Sequence, residues 1–358
     1  ELLLNDSGLG ILLDYDSIES LNKQQNISIK DHENSSTDKA VLGFIGAGNY
    51  ASRVLMPAFK STGAMLHTVV TNNGINSMIH GKRMGFSMGS TDVDSIIKDP
   101  NINTSVIVTR HNTHADLVMR SLEAGKNVWV EKPLCIDMKS LDSIEKVYKN
   151  LHEDEKEKKP HLMVGFNRRF APHTIKMKEL IQNIDSPKSF IMTINAGYIP
   201  DDHWTQDSAI GGGRIIGEAC HFIDLMRFLA NSKIKKVHAD ALESDKYSKN
   251  KDTVSISLVF EDGSHGTILY LSNGSSKFPK ERIEIFVDNK ILQLDNFIRL
   301  KGFGWSNFKK MNLFKQNKGH NECANSFIES LKTNTPTIPS EEIFEVARVS
   351  LKANDLLN

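Results

Sequence analysis

From residue 39 onward, the spacing of apolar and polar positions divides the chain into two regimes. In the first, unbroken apolar runs alternate with stretches of helical spacing. Ala40 to Ile45 (AVLGFI), Met65 to Val70, Thr104 to Thr109 (TSVIVT) and the run Val128 to Val130 read as buried strands. A strand covered on both faces has no reason to alternate. Between them, helical spacing runs on through Phe59, over Ile75 to Met84, briefly over Ser95 to Lys98, and from an Asn112 or Thr113 cap to Ala124, where Gly125 stops it. Such repetition predicts a parallel sheet with right-handed crossovers. A longer helix after Pro133 reaches about Leu151 and dissolves into HEDEKEKKP, a solvated charge run. His161 to Phe166 is a further apolar strand.

The second regime alternates. Ser189 to Asn195, Lys236 to Ala241, Thr253 to Phe260, His265 to Leu271, Arg282 to Val287 and Ile291 to Leu294 read as strands, with hairpin turns at 261–264 and 288–290. Helices over His320 to Leu331 and Glu341 to Leu357 close the chain. Ahead of residue 39, ELLLNDSGLGILLDY (residues 1–15) is apolar, and the Asn-, Ser- and Lys-rich tract over 16–38 reads as a linker. The prediction is an α/β chain in four parts. Residues 1–15 are the tail of a preceding domain, and 16–38 a linker. A Rossmann dinucleotide-binding domain spans 39–160, and an α+β domain with a largely antiparallel open sheet spans 161–358.

Composition narrows the partners. Lys plus Arg and Asp plus Glu both number 44, so the overall charge attracts neither nucleic acid nor an anionic membrane. No apolar run approaches a bilayer span, so no membrane insertion is expected. Cys135, Cys220 and Cys323 share no metal-ligand spacing, so no metal is expected. Sparse cysteine suits a reducing, cytoplasmic setting. The one-sided antiparallel sheet needs cover, which predicts a homo-oligomer, a dimer or tetramer.

The chemistry gathers at strand ends. Gly46-Ala47-Gly48-Asn49-Tyr50-Ala51 lies between the first strand and the first helix. There Gly46 makes the turn, Gly48 lets backbone approach a pyrophosphate, and Ala51 allows close packing. The helix N-terminus favours phosphate. Thr71 and Asn72, at the end of the second strand, are neutral where NAD would call for a carboxylate; Lys82 and Arg83 are the nearby cations, so NAD and NADP both stay open. Asn127 to Leu134 (NVWVEKPL) places Glu131 and Lys132 at the mouth of the crevice. Thr109, Arg110, His111, Asn112 and His114 suit either a cofactor or ordinary capping. In GGGRIIGEACHFID, three glycines permit close approach to a ligand and a helix carries His221 and Asp224 on one face. Hydride transfer from an alcohol needs a base and a cation near the developing alkoxide: His221 suits the first task, and Lys132 the second or either. Arg168, Arg169, Gly217, Glu218 and Asp224 are candidate substrate contacts. Lys280 and the His203-Trp204 pair are weaker candidates for a sugar site, and Cys220 is discounted because adjacent helix positions do not face one another.

GFIGAGNYA, VEKPL, VGFNRRF and GGGRIIGEACHFIDL, in this order, resemble the glucose–fructose oxidoreductase / inositol dehydrogenase / MocA family from about Lys39 to the C-terminus. The resemblance implies that Lys132 is catalytic or substrate-orienting and that His221 is the acid/base. One position departs: the family commonly carries Asp four residues before that His, and here it is Gly217. Glu218, one helical step away, is rotated by about 100°. Residues 1–15 are similar to the end of a zinc-type medium-chain dehydrogenase domain. The implied whole is a bi-domain oxidoreductase of bacterial surface-polysaccharide clusters. The expected function is NAD(P)-dependent hydride transfer at a secondary alcohol of a sugar or sugar nucleotide. Two other readings remain open, a dinucleotide-binding regulatory or scaffolding module without catalysis and a redox-assisted glycoside hydrolase.

Overall fold

The computed structural model describes residues 25–30, 39–153, 159–242 and 251–357. Residues 1–15 and most of the expected linker lie outside the described residues. Within that linker, β1 (Asn26–Ser28) forms a strand. It is followed by β2 (Val41–Ile45), α1 (Met56–Ser61), β3 (Met65–Val70), α2 (Gly74–Met84), β4 (Met88–Ser90), α3 (Asp94–Ile97), β5 (Thr104–Ile107), α4 (His114–Glu123), β6 (Asn127–Val130), α5 (Met138–His152) and β7 (Leu162–Val164). The sheet runs β1-β4-β3-β2-β5-β6-β7, parallel throughout except for β1, which pairs antiparallel with β4. Because β7 joins β6, the first sheet extends past the expected boundary at residue 160.

The chain crosses from one side of this sheet to the other between β2 and β5. Ligands bind at such a switch point, outside the carboxyl ends of the strands. All of β2 is buried, as its unbroken apolar run predicts. Edge-to-face contacts link Phe44 to Phe59 and Phe86, and Phe59 to Trp129.

The second region contains α6 (Pro172–Ile181), β8 (Ser189–Asn195), α7 (Cys220–Ala230), β9 (Ile234–Ala241), β10 (Val254–Phe260), β11 (His265–Leu271), β12 (Glu281–Val287), β13 (Lys290–Asp295), β14 (Arg299–Phe303), β15 (Lys310–Asn312), α8 (His320–Thr333) and α9 (Ser340–Asp355). Its eight-stranded sheet has the order β15-β14-β13-β12-β8-β11-β10-β9, and only β8 with β11 is parallel. Val254, Ile256, Leu258 and Phe260 point inward, while Ser255, Ser257 and Val259 point out. At the β12–β13 hairpin, Asp288 and Asn289 both take positive φ, the geometry that tightens a two-residue turn. The short strands β14 and β15 carry little alternation and are not legible beforehand. Helix α8 packs back on the first domain through Phe327, which meets Trp129 and Phe59. The two domains therefore share a core.

A buried ion cluster reinforces that union. Arg168, on the 3₁₀ turn after β7, donates to Glu281 of β12 at 2.8 and 3.2 Å, and Lys318, just ahead of α8, donates to the same carboxylate at 2.8 Å. Burial opposes the charge on Glu281, but Arg168 and then Lys318 outweigh it and hold the carboxyl down to about 2. Removing one partner of such a cluster strands the others unpaired in the interior. Glu281→Gln is expected to lower stability at neutral pH by about 3–5 kcal/mol in denaturant unfolding. A carboxyl whose folded pKa is depressed stabilises fully above its ordinary value of 4.5 and stops doing so as pH falls through the folded value. The gap between wild type and variant should therefore narrow below pH 4.5 toward about 2; a gap unchanged across that range would contradict the assignment.

Candidate active site

Gly46 follows β2 with φ +105°, and a Cβ there would lie 2.3 Å from the Val108 carbonyl oxygen, so glycine alone fits the turn. At Gly48 nothing stands within 4 Å of that position, and backbone is open to the cleft. The next helix begins with a π-helical stretch, Ala51–Leu55, before α1. Ala51 is buried away from the cleft wall, in keeping with a packing role.

The cleft between the two domains has a volume of ≈ 1660 Å³. Of the residues singled out in the sequence, it brings together Gly46, Gly48, Asn49, Tyr50, Thr71, Asn72, Thr109, Arg110, His111, Asn112, His114, Glu131, Lys132, Arg168, Gly217, Glu218 and His221. Lys280 and Trp204 also line it, whereas His203 does not.

Lys132, two residues past the end of β6, donates from Nζ to the Gly217 carbonyl at 2.6 Å. This bond ties the end of the first sheet to the π-helical stretch Ile215–Ala219, which leads into α7. The peptide between Lys132 and Pro133 is cis. Beneath it, His114 is fully buried, with Nδ1 2.7 Å from the Pro133 carbonyl and Nε2 3.2 Å from that of Thr109. His114 therefore serves the loop more than a ligand. Neither Asn112 nor Thr113 caps α4 through its side chain; the Thr113 hydroxyl meets that of Thr109 at 2.6 Å and donates to the Arg110 carbonyl at 2.8 Å.

Glu131 lies over Gly165, where a Cβ would be 2.5 Å from its Oε1, which explains the glycine in VGFNRRF. Burial raises the Glu131 carboxyl to about 7 against the pull of Lys132 and hydrogen bonding from Trp129, the Lys132 N–H and Tyr50, while its buried Oε1 has no partner within hydrogen-bond distance among the described residues. That orphaned oxygen fits an amide of a bound ligand.

His221 begins α7 among positive groups. Burial first, then Arg168, Lys132, His320 and Lys318, hold its protonation well below the ordinary range, so the ring is neutral. Its Nδ1 is buried without a partner among the described residues. Glu218 takes the opposite course. Burial would raise it, but Lys280 and Tyr270, with Lys132 beyond, keep it well below the usual carboxylate range. Its Oε1 accepts from Lys280 at 2.7 Å, and its Oε2 from Tyr270 at 2.5 Å and Arg214 at 3.1 Å.

Two expected substrate contacts are corrected. Arg169 and Asp224 form a buried ion pair, to which Glu342 adds a bond to Arg169 at 3.0 Å, and neither lines the cleft. The 3₁₀ turn Asn167–Phe170 separates consecutive side chains by about 120°. Arg168 thus reaches the cleft, while Arg169 turns into the core. Arg168 is itself held by Glu281 and lies over the Phe222 ring at 4.9 Å. Sequence reading missed Arg214, Tyr270, Glu281, Lys318 and His320. The one available signal was Gly319, whose φ of +81° marks a sharp entry into α8.

A dinucleotide fits this donor set. Thr71, Asn72, Asn73 and Asn76 form a neutral wall after β3. Lys82 and Arg83 sit in the last turn of α2, exposed and off the cleft wall, so they offer nothing to a 2′-phosphate.

Comparison with known proteins agrees with this geometry. Residues 41–166 match the family model described as "Oxidoreductase family, NAD-binding Rossmann fold", and residues 174–293 match that described as "GFO/IDH/MocA C-terminal domain". The chain is 25% identical to the myo-inositol 2-dehydrogenase of Thermotoga maritima over 272 residues, covering 73% of this chain and 79% of that protein. It is 30% identical to the scyllo-inositol 2-dehydrogenase (NAD(+)) of Bacillus subtilis over 203 residues, 55% of each. Several other relatives match over only about half of their own length. Among solved structures, levoglucosan dehydrogenase in complex with NADH and levoglucosan shares the fold with a TM-score of 0.75 at 19% identity, covering 89% of this chain and 96% of that one. The strand order, the glycine turn and the two successive family models lead to one conclusion: the chain belongs to the GFO/IDH/MocA family of NAD-binding oxidoreductases.

Proposed function

We propose that this chain is an NAD-dependent dehydrogenase acting on a secondary alcohol of a sugar, a polyol or a sugar nucleotide, in surface-polysaccharide metabolism. The observation that carries the reading is the Lys132–Gly217 bond, which fixes a cation at the junction of the dinucleotide half and the sheet domain. The relatives named above act on inositols, which are cyclic polyols. The cleft volume exceeds the range of about 300–1,000 Å³ usual for one small ligand, leaving room for a dinucleotide and a substrate together. Arg110 lines its wall beside Trp204, and a guanidinium there suits a substrate that carries phosphate, whereas Lys280 and Lys318 are paired with Glu218 and Glu281.

NAD, which Gly46, Gly48 and Thr71 would hold, would supply the hydride acceptor for the carbinol carbon. The protein's part is to place that carbon and handle the hydroxyl proton. One Lys132 ammonium hydrogen is spent on Gly217, and two remain to stabilise charge developing on the substrate oxygen. The neutral His221 ring lines the same cleft and offers a lone pair for the proton.

Lys132→Met is expected to lower kcat/KM by at least about 100-fold while NADH affinity, read by fluorescence, changes little. Wild-type turnover in the variant would remove Lys132 from the chemistry. Dinucleotide released on denaturing the purified protein is expected to be NAD, and NAD should support faster oxidation than NADP across a panel of inositols, anhydrosugars and sugar nucleotides. Preference for NADP would overturn the reading of the neutral wall after β3. If no member of the panel is oxidised while NAD binds tightly, the non-catalytic reading gains.

The outer face of the second sheet, with Ile191 40% and Val259 38% exposed, supports pairing between copies of the chain. Light scattering at micromolar concentration should give a dimer or tetramer, and a clean monomer would count against pairing.

A further inference from the structure

The departure at Gly217 coincides with the position of His111. A Cβ at 217 would stand 2.9 Å from His111 Cε1 and 3.3 Å from its Nδ1. A side chain at 217 would therefore require the imidazole to shift from this position. His111 Nδ1 lies 2.7 Å from the Gly211 carbonyl oxygen, which can only accept, so Nδ1 carries the hydrogen and Nε2 presents a lone pair. Among the described residues the hydrogen bond of the ring runs through Nδ1, and the ring lines the cleft. Trp204 clamps the ring edge-to-face at 4.8 Å, and the Arg110 guanidinium lies 5.9 Å from the Trp204 ring centre. Lys132, which donates to the carbonyl of Gly217, is thus a neighbour of the imidazole across that one residue.

We propose that His111 replaces a side chain at position 217 as the substrate-facing polar group beside Lys132, and that its Nε2 accepts a hydrogen bond from a hydroxyl adjacent to the reacting one. Lys132 donates to one oxygen and His111 accepts from the next, so the pair selects a vicinal diol over a lone alcohol. This rests on the dehydrogenase reading of the cleft and deepens it. Glu218 is no rival for the task, because Lys280, Tyr270 and Arg214 occupy both of its oxygens. Burial and the nearby Lys132 charge keep the imidazole neutral, as an acceptor must be, with its pKa lowered to about 3.

The test has two arms. In the first, ¹⁵N-histidine labelling of the whole chain reads the tautomer of His111 without any substrate. The Nδ1–H form, constant from about pH 5 to 9, is expected, and an Nε2–H form would overturn the proposal even if no substrate were known. In the second arm, kcat and KM are measured with myo-inositol, and with the panel compound oxidised fastest together with its analogue lacking the neighbouring hydroxyl. His111→Phe keeps the ring volume but has no acceptor; its kcat/KM on the diol should fall roughly 10- to 100-fold. On the deoxy analogue, wild type and variant should be nearly equal, and NADH affinity should stay within about twofold. Gly217→Asp alone should lose activity by displacing the ring. Added to His111→Ala it should recover part of that variant's loss, with a carboxylate pH dependence absent from wild type. Equal activity of His111→Phe and wild type on the diol, or an equal loss on diol and deoxy analogue, would overturn the proposal. If no compound turns over, the dehydrogenase reading fails, while the tautomer measurement still decides the state of His111.

Discussion

A single hydrogen bond from the Lys132 ammonium to the Gly217 carbonyl is where the two halves of this molecule become one site. The sheet of the first domain delivers Lys132 at the end of β6, beside the crevice that its strand order creates. The second domain offers Gly217 from a π-helical stretch, a local widening often found where a helix meets a ligand. Residues of both halves line the cleft. The shared aromatic packing of Phe59, Trp129 and Phe327 keeps the two close enough for a bond of 2.6 Å.

Charge is distributed with similar economy. The cleft gathers many basic side chains, and buried carboxylates restrain most of them. Glu281 holds Arg168 and Lys318, while Glu218 holds Lys280 and Arg214. Lys132 leans instead on a neutral carbonyl, and Arg110 lies over the Trp204 ring. The histidines are kept neutral by burial and by these cations. The result is a set of fixed donors and uncharged acceptors, which suits alcohols better than free acids or bases.

Much of the first domain was legible because its signals are local. A buried strand, a glycine turn and a helix follow one another within about twenty residues, and the motif's geometry is set by its own backbone. Glu131 and Lys132, at the end of such a strand, line the cleft, and His221 reaches it from α7 of the second region. What escaped depends on distant partners. Nothing in RRF says that Arg168 faces the cleft and Arg169 an aspartate 55 positions away. Asp224 looked like a companion to His221 because helical spacing puts them on one side, yet its ion pair with Arg169 draws it into the core. His111 read as a cofactor or capping residue, and its bond to the carbonyl of Gly211, 100 residues on, is visible only in the fold. The parallel pairing of β8 with β11 is equally non-local.

The strand β1 has a consequence of another kind. Its three residues lie along β4 and occupy the hydrogen-bonding groups at that border of the first sheet, while the neighbouring Ile29 fits against Gly81 on α2. A bare border of parallel strands is a template on which a second molecule could add its own strand. By laying a short, exposed and antiparallel piece of its own chain there, the protein ends the sheet on its own terms.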